Sequence, residues 1–306
     1  MKVVVTGGSG MLGHHLVRLA CREHEVWGGY HAHRVDIPGC RMFALDLADE
    51  PGSREQLKSI RPDVVIHTAA LTDVDECERE REKARRINVD GTGLLAEATE
   101  QVGGLFVYIS TDYVFDGERG DYREEDSPSP VNRYGETKLL GENLARQRCS
   151  KALILRTSIY GLKLPPQIGM LETLLEALRG GQTLTRFADQ FFTPLYAGQL
   201  SEFILRLVHS GALGLLHVGG GEKISRLAFA QELAGVFALR ATLQPVSFKQ
   251  IPGLARRPRD SSLAGRFVEE RFGIRLPQVR RGLERLKQDR KRLVEEGTID
   301  DRRCSS

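Results

Sequence analysis

No uninterrupted apolar run in the 306 residues reaches the roughly 18 to 20 that a membrane-spanning helix requires. Cysteine is sparse: Cys21, Cys40, Cys77, Cys149 and Cys304 are odd in number and never spaced C-x-x-C. That scatter argues against a disulfide framework and for reduced thiols in a cytoplasmic protein. Neither sign of charge dominates, since 44 Lys and Arg face 41 Asp and Glu for a formal +3. A protein that coats nucleic acid or acidic membranes would be more lopsided, so neither partner is expected. Lysine is scarce, 10 against 34 arginines. There is no internal repeat or low-complexity tract, and the first strand is expected to start at Lys2, without a signal peptide before it.

With 41% hydrophobic and 28% charged residues, the chain can bury a sizeable core. From Lys2 to Arg156 short β-branched runs alternate with helix-length stretches. The runs are 2–6 (KVVVT), 25–30 (EVWGGY), 41–45 (RMFAL), 64–67 (VVIH), 105–110 (LFVYIS) and 152–156 (ALILR). Strands apolar on both faces need cover on both sides, which places them in a parallel sheet between helices. The expected fold is α/β, a doubly wound NAD(P)-binding Rossmann domain over residues 1–160.

Beyond Tyr160 the rhythm loosens: Pro165 and Pro166, a helical run near Leu171 to Leu178, a strand-like Leu215 to Val218 and a helix around Leu227 to Leu239. Residues 161–290 are expected to form a smaller mixed α/β substrate-binding domain over the carboxyl edge of the sheet, with some segments returning to the first domain. The charge-dense residues 291–306 read as a tail.

Residues 6–13 (TGGSGMLG) place Gly7, Gly10 and Gly13 directly after the first strand. Glycine permits the tight turn and close backbone approach that a diphosphate needs, and the helix opening there aims its free N–H groups at it. Met11 and Leu12 lie in the same turn and are expected beside the cofactor. After the second strand no acid arrives before Asp36, whereas His31, His33 and Arg34 do. An NAD site usually places a carboxylate here to take the ribose hydroxyls; positive groups suit the 2′-phosphate of NADPH. NADPH is therefore expected, with Arg34 and His33 as its clamp and NAD as the alternative. His31, His33 and Cys40 match no usual ligand spacing, so no metal is expected. Asp46 after the third strand is placed to receive the adenine amino group, and Ala69 and Ala70 after the fourth would let the cofactor pass close to the backbone.

Tyr134 and Lys138 are four residues apart, on one face of a helix that Pro128, Pro130 and Asn132 favour starting here. Hydride transfer to a ketone leaves an alkoxide that must be protonated, and a phenol of pKa about 10 is a sluggish partner unless a fixed positive charge lowers it. Lys138 could supply that charge. Ser110 and Thr111 close the fifth strand, where a hydroxyl can donate to a substrate carbonyl.

With TGGSGMLG, STDYVFDG and YGETK in this order, the chain resembles the extended short-chain dehydrogenase/reductase superfamily, and more narrowly its dTDP-4-dehydrorhamnose reductase branch. Residues 61–78 (RPDVVIHTAALTDVDECE), 87–98 (INVDGTGLLAEA), 122–142 (YREEDSPSPVNRYGETKLLGE), 155–161 (LRTSIYG), 189–197 (DQFFTPLYA) and 257–263 (RPRDSSL) extend the likeness over nearly the whole chain. The resemblance implies Thr111 as carbonyl hydrogen-bond donor, Tyr134 as proton donor and Lys138 as its electrostatic partner. It implies a cofactor lined by Gly7, Gly10, Gly13, Asp46, Leu47, Ala69 and Ala70, with Thr72 and Val74 flanking nicotinamide and sugar and Arg257 near the substrate.

The implied activity is NADPH-dependent reduction of a 4-keto sugar nucleotide, as in dTDP-L-rhamnose or related deoxysugar biosynthesis. A nucleotide sugar would then be the substrate, and a homodimer the allowed assembly. Dehydratases of the superfamily follow the strand-end Thr with an Asp-Glu pair; here Asp112 is followed by Tyr113, which disfavours dehydration. The chain departs from the branch at Ile159, where an aromatic is common, at Leu195, which replaces Thr, and at His15, which replaces a magnesium-binding glutamate of some members. It is also similar to the regulatory β subunit of methionine adenosyltransferase, which makes a non-catalytic NADP-binding subunit one alternative; a sugar-nucleotide epimerase is another.

Overall fold

The computed structural model describes residues 1–247 and 255–300. The chain opens with strand β1 (Lys2–Thr6), whose Val3, Val4 and Val5 are buried on both faces, followed by helix α1 (Met11–Ala20) and β2 (Glu25–Tyr30). Next come β3 (Cys40–Ala44), α2 (Glu50–Ile60), β4 (Val64–His67), the short α3 (Val74–Arg79) and α4 (Arg81–Arg85), a π-turn at Arg86–Asp90 and α5 (Gly91–Gln101). Then follow β5 (Leu105–Thr111), α6 (Arg133–Arg148) and β6 (Ala152–Thr157). Local chemistry sets the helix starts. Asp49 accepts from the Gly52 amide at 3.2 Å to begin α2, and Asn132 accepts from the Gly135 amide at 2.8 Å to begin α6.

After β6 come β7 (Ile159–Tyr160), α7 (Met170–Arg179), β8 (Thr183–Phe187), β9 (Phe191–Phe192), β10 (Leu195–Tyr196), α8 (Ala197–His209) and β11 (Gly214–His217). The described chain ends with β12 (Ile224–Ser225), α9 (Arg226–Phe237), β13 (Thr242–Val246), α10 (Arg266–Phe272) and α11 (Val279–Glu295). Seven parallel strands form the main sheet in the order β11-β6-β5-β4-β1-β2-β3. The chain reverses its direction of travel between β1 and β4, and such a switch point opens a crevice at the carboxyl edge.

One core, with Leu16, Val17, Leu200, Ile204 and Val268, covers one face of the sheet through α1, α8 and α10. Another, with Leu57, Leu95 and Ala145, covers the opposite face through α2, α5 and α6. A third is built from Leu171, Leu175, Phe229, Leu233, Leu283 and Leu286 on α7, α9 and α11. Segment 161–290 thus serves two bodies: α8, β11 and α10 complete the main sheet, while α7, α9 and α11 pack separately. The strand expected at Leu215 to Val218 is the seventh of the main sheet, because it pairs with β6. The first part of the charged 291–306 segment is still helix: α11 runs to Glu295 and buries Leu293, while residues 301–306 lie outside the described residues. Among the described residues no helix is long and apolar enough to cross a membrane.

Candidate active site

The switch point is occupied by the glycine turn. Gly7 has φ +66°, and a Cβ there would lie 2.9 Å from the Thr68 hydroxyl and 3.0 Å from the Ala69 amide nitrogen. A Cβ on Gly13 would fall 2.0 Å from the Gly7 carbonyl oxygen, so α1 packs directly against the turn. Gly10 donates to the Gly7 carbonyl at 2.8 Å and caps α1 without any side chain, which leaves first-turn amides of α1 open to an anion. This cradle fits a dinucleotide diphosphate.

The remaining cofactor candidates fall around this edge with different commitments. Met11 lies against Gly161, whereas the Leu12 side chain is in the core. Ala69 and Ala70 are half-buried just after β4. Leu47 packs toward Gly91 of α5. Asp46 accepts from the Ala48 amide at 2.9 Å, forming a local turn, and its carboxylate is 3.8 Å from His31. His33 and Arg34 are exposed on the loop after β2, and Arg34 donates to Asp36 at 2.8 Å. His31, His33 and Cys40 do not converge as a ligand cluster.

Thr111 is the last residue of β5 and Tyr134 stands in the first turn of α6, with Lys138 one turn on. The buried Lys138 donates to the Ile109 carbonyl at 2.7 Å and lies 4.0 Å from the centre of the Tyr108 ring. Burial pulls its ammonium down to about 7, opposed mainly by the carboxylate of Glu142. Burial pushes the Tyr134 phenol up, while a hydrogen bond with Thr111 works the other way. Burial thus works against the lowering expected from Lys138, whose ammonium is turned to the Ile109 carbonyl. The Tyr113 ring stands edge-on to Tyr134, centroids 6.0 Å apart.

Sequence reasoning missed the groups that hold these residues. Thr111 donates to Asp112 at 3.2 Å; Asp112 is itself buried, and Ser261 donates to its other oxygen at 2.5 Å. Desolvation raises the Asp112 carboxyl. Arg257, expected near the substrate, pairs with Asp75 at 2.7 Å, and Asp75 also accepts from the Ala255 amide. Thr72 is exposed in the loop before α3, and Val74 is half-buried as its first residue. Asn88 accepts from the Leu71 amide at 2.8 Å and donates to Thr137 at 3.1 Å, tying that loop to α6. Asp75, Asn88, Asp112 and Ser261 all lie within segments that signalled themselves, but nothing in those segments showed which residues meet.

The crevice, the glycine cradle and the Thr111–Tyr134–Lys138 arrangement define a Rossmann-fold protein of the extended short-chain dehydrogenase/reductase class. Residues 1–291 match the family described as RmlD substrate binding domain, and the chain belongs to that family. It is 35% identical, over 91% of its length and 95% of the relative's, to a probable low-salt glycan biosynthesis reductase of Haloferax volcanii. A hypothetical dTDP-4-dehydrorhamnose reductase structure from Sulfolobus tokodaii is 38% identical with a TM-score of 0.82, covering 91% of this chain and 97% of that one. A dTDP-4-dehydrorhamnose reductase of Bacillus anthracis in complex with NADP is 30% identical with a TM-score of 0.82, covering 94% and 99%.

Proposed function

We propose that the protein is an NADPH-dependent reductase that converts the 4-keto group of a nucleotide-linked sugar to an alcohol. The observation that carries this reading is Tyr134 hydrogen-bonded to Thr111, with the buried Lys138 one helical turn further along α6, at the sheet edge where the glycine cradle lies. The family relatives named as reductases, one of them with NADP bound, support it.

Bound NADPH would supply the hydride, held by the cradle of Gly7, Gly10 and Gly13 with His33 and Arg34 at its 2′-phosphate. Thr111, released from Asp112, donates to the carbonyl oxygen and stabilises the charge that develops there. Tyr134 then gives its proton to the alkoxide, and the charged form of Lys138 stabilises the phenolate left behind. Asp112 is followed by Tyr113, so no second carboxylate stands there to eliminate water. One carbonyl, one hydride and one proton give one alcohol.

The test is NADPH oxidation with dTDP-4-keto-6-deoxyhexose as substrate, comparing the parent with Tyr134→Phe. The substitution should lower kcat by about 10²–10⁴-fold with NADPH affinity retained. A variant as fast as the parent would remove Tyr134 from the chemistry. Absence of turnover in the parent, with NADPH bound, would point instead to a binding subunit of the kind that the methionine adenosyltransferase likeness implies.

A further inference from the structure

At the amino edge of the sheet, opposite the glycine cradle, two helices end side by side. α1 and α8 pack through Leu16, Val17, Leu200 and Ile204 in the core of one sheet face. After α1 the amides of Glu23 and His24 both donate to the Ala20 carbonyl, at 3.2 and 2.9 Å, in a tight turn before β2. His209 is the last residue of α8, and β11 begins shortly after it at Gly214. The carboxylate of Glu23 and one ring nitrogen from each histidine come within 4.8 Å of one another.

We propose that Glu23, His24 and His209 bind a divalent transition-metal ion of the zinc type, which clamps α1 to α8. The donor set is the first argument: two imidazoles and a carboxylate, with solvent as a fourth ligand, suit zinc and its neighbours and not the oxygen-seeking calcium or magnesium. The second is the orientation of His209. Its Nδ1 donates to the Leu205 carbonyl at 2.7 Å, which fixes the tautomer and leaves Nε2 as a lone pair for a metal. The third is the field: the carboxyl ends of α1 and α8 both carry partial negative charge, and they meet here.

Ligand atoms around zinc lie about 3.3 Å apart, given bonds near 2.0 Å in a tetrahedron. The ligand atoms already lie within 4.8 Å of one another, so closing to that spacing takes small side-chain rotations, and Glu23 and His209 are exposed and His24 half-buried, so nothing in the core must move. The two histidine rings already lie side by side, tilted by 38° with centroids 5.2 Å apart. The site lies at the opposite edge of the sheet from the glycine cradle, so the ion would take no part in chemistry there, and the inference does not depend on the reductase reading.

The experiment is calorimetric titration of the chelator-stripped full chain with zinc chloride, beside the His24→Ala/His209→Ala variant. The parent should bind one equivalent and melt at a higher temperature with zinc; the double variant should bind at least tenfold more weakly and lose the thermal shift. Magnesium chloride should not compete. No saturable binding by the parent, or equal binding by the double variant, overturns the proposal. All three side chains lie outside the core, so the variant's melting temperature without metal should match the parent's and confirm that it folds.

Discussion

Lys138 donates its ammonium to the carbonyl oxygen of Ile109 at 2.7 Å, from a position buried inside α6 and the end of β5. The bond orients Nζ toward the sheet edge but does not compensate burial in full, so the ammonium is drawn down to about 7. The charge that would stabilise a Tyr134 phenolate is therefore present at acidic pH and lost as pH rises through that value. In the keto-sugar assay, kcat/KM should fall above about pH 7. Lys138→Met should abolish this limb and lower kcat by about 10²-fold. An unchanged profile in the variant would assign the limb to another group.

Glu142 opposes the loss of charge on Lys138 and is itself locked to Arg156, which donates to its two oxygens at 2.9 and 2.7 Å. Ser110 adds a third donor. Glu142→Gln should shift the alkaline limb to lower pH, because it removes the negative charge that favours the ammonium. It should also cost about 3–5 kcal/mol of stability by leaving a buried guanidinium unpaired. Adding Arg156→Met should recover part of that stability without restoring the limb, which urea denaturation and pH profiles would separate.

Local features of the site were legible in the sequence. Gly7, Gly10 and Gly13 signal because a turn and its helix are contiguous, and Tyr134 and Lys138 because helical spacing brings them together. The supports were not. Arg257 meets Asp75 across 182 positions and Ser261 meets Asp112 across 149, pairings that no periodicity encodes. Arg257, expected at the substrate, is held by an acid on α3, next to Val74. The seventh strand illustrates the same limit: Leu215 and Leu216 read as a strand, but only pairing with Ile154 and Leu155 assigns it to the main sheet. Residues 291–295 look like a charged tail because most are charged, yet Leu293 anchors them on the core side of α11.

Two buried histidines predict how the fold responds to acid. His67 contacts the Thr6 hydroxyl through Nδ1 at 2.7 Å and the Thr92 hydroxyl through Nε2 at 3.1 Å, and burial, with Lys138 nearby, lowers it to about 3. His217 donates to the Tyr122 carbonyl at 2.9 Å, and burial together with Arg156 lowers it to about 3 as well. Both rings are neutral in the folded chain, while in the unfolded chain they take protons near pH 6.5. The unfolded state binds more protons between these values, so stability is full above about pH 6.5 and falls as pH drops toward 3. Each ring should contribute about 1–2 kcal/mol of loss between pH 6.5 and 5. Urea unfolding at the two pH values should show that drop, and His67→Gln should reduce it; an equal drop in the variant would assign it to other groups, among them His14 and His15, which burial also lowers.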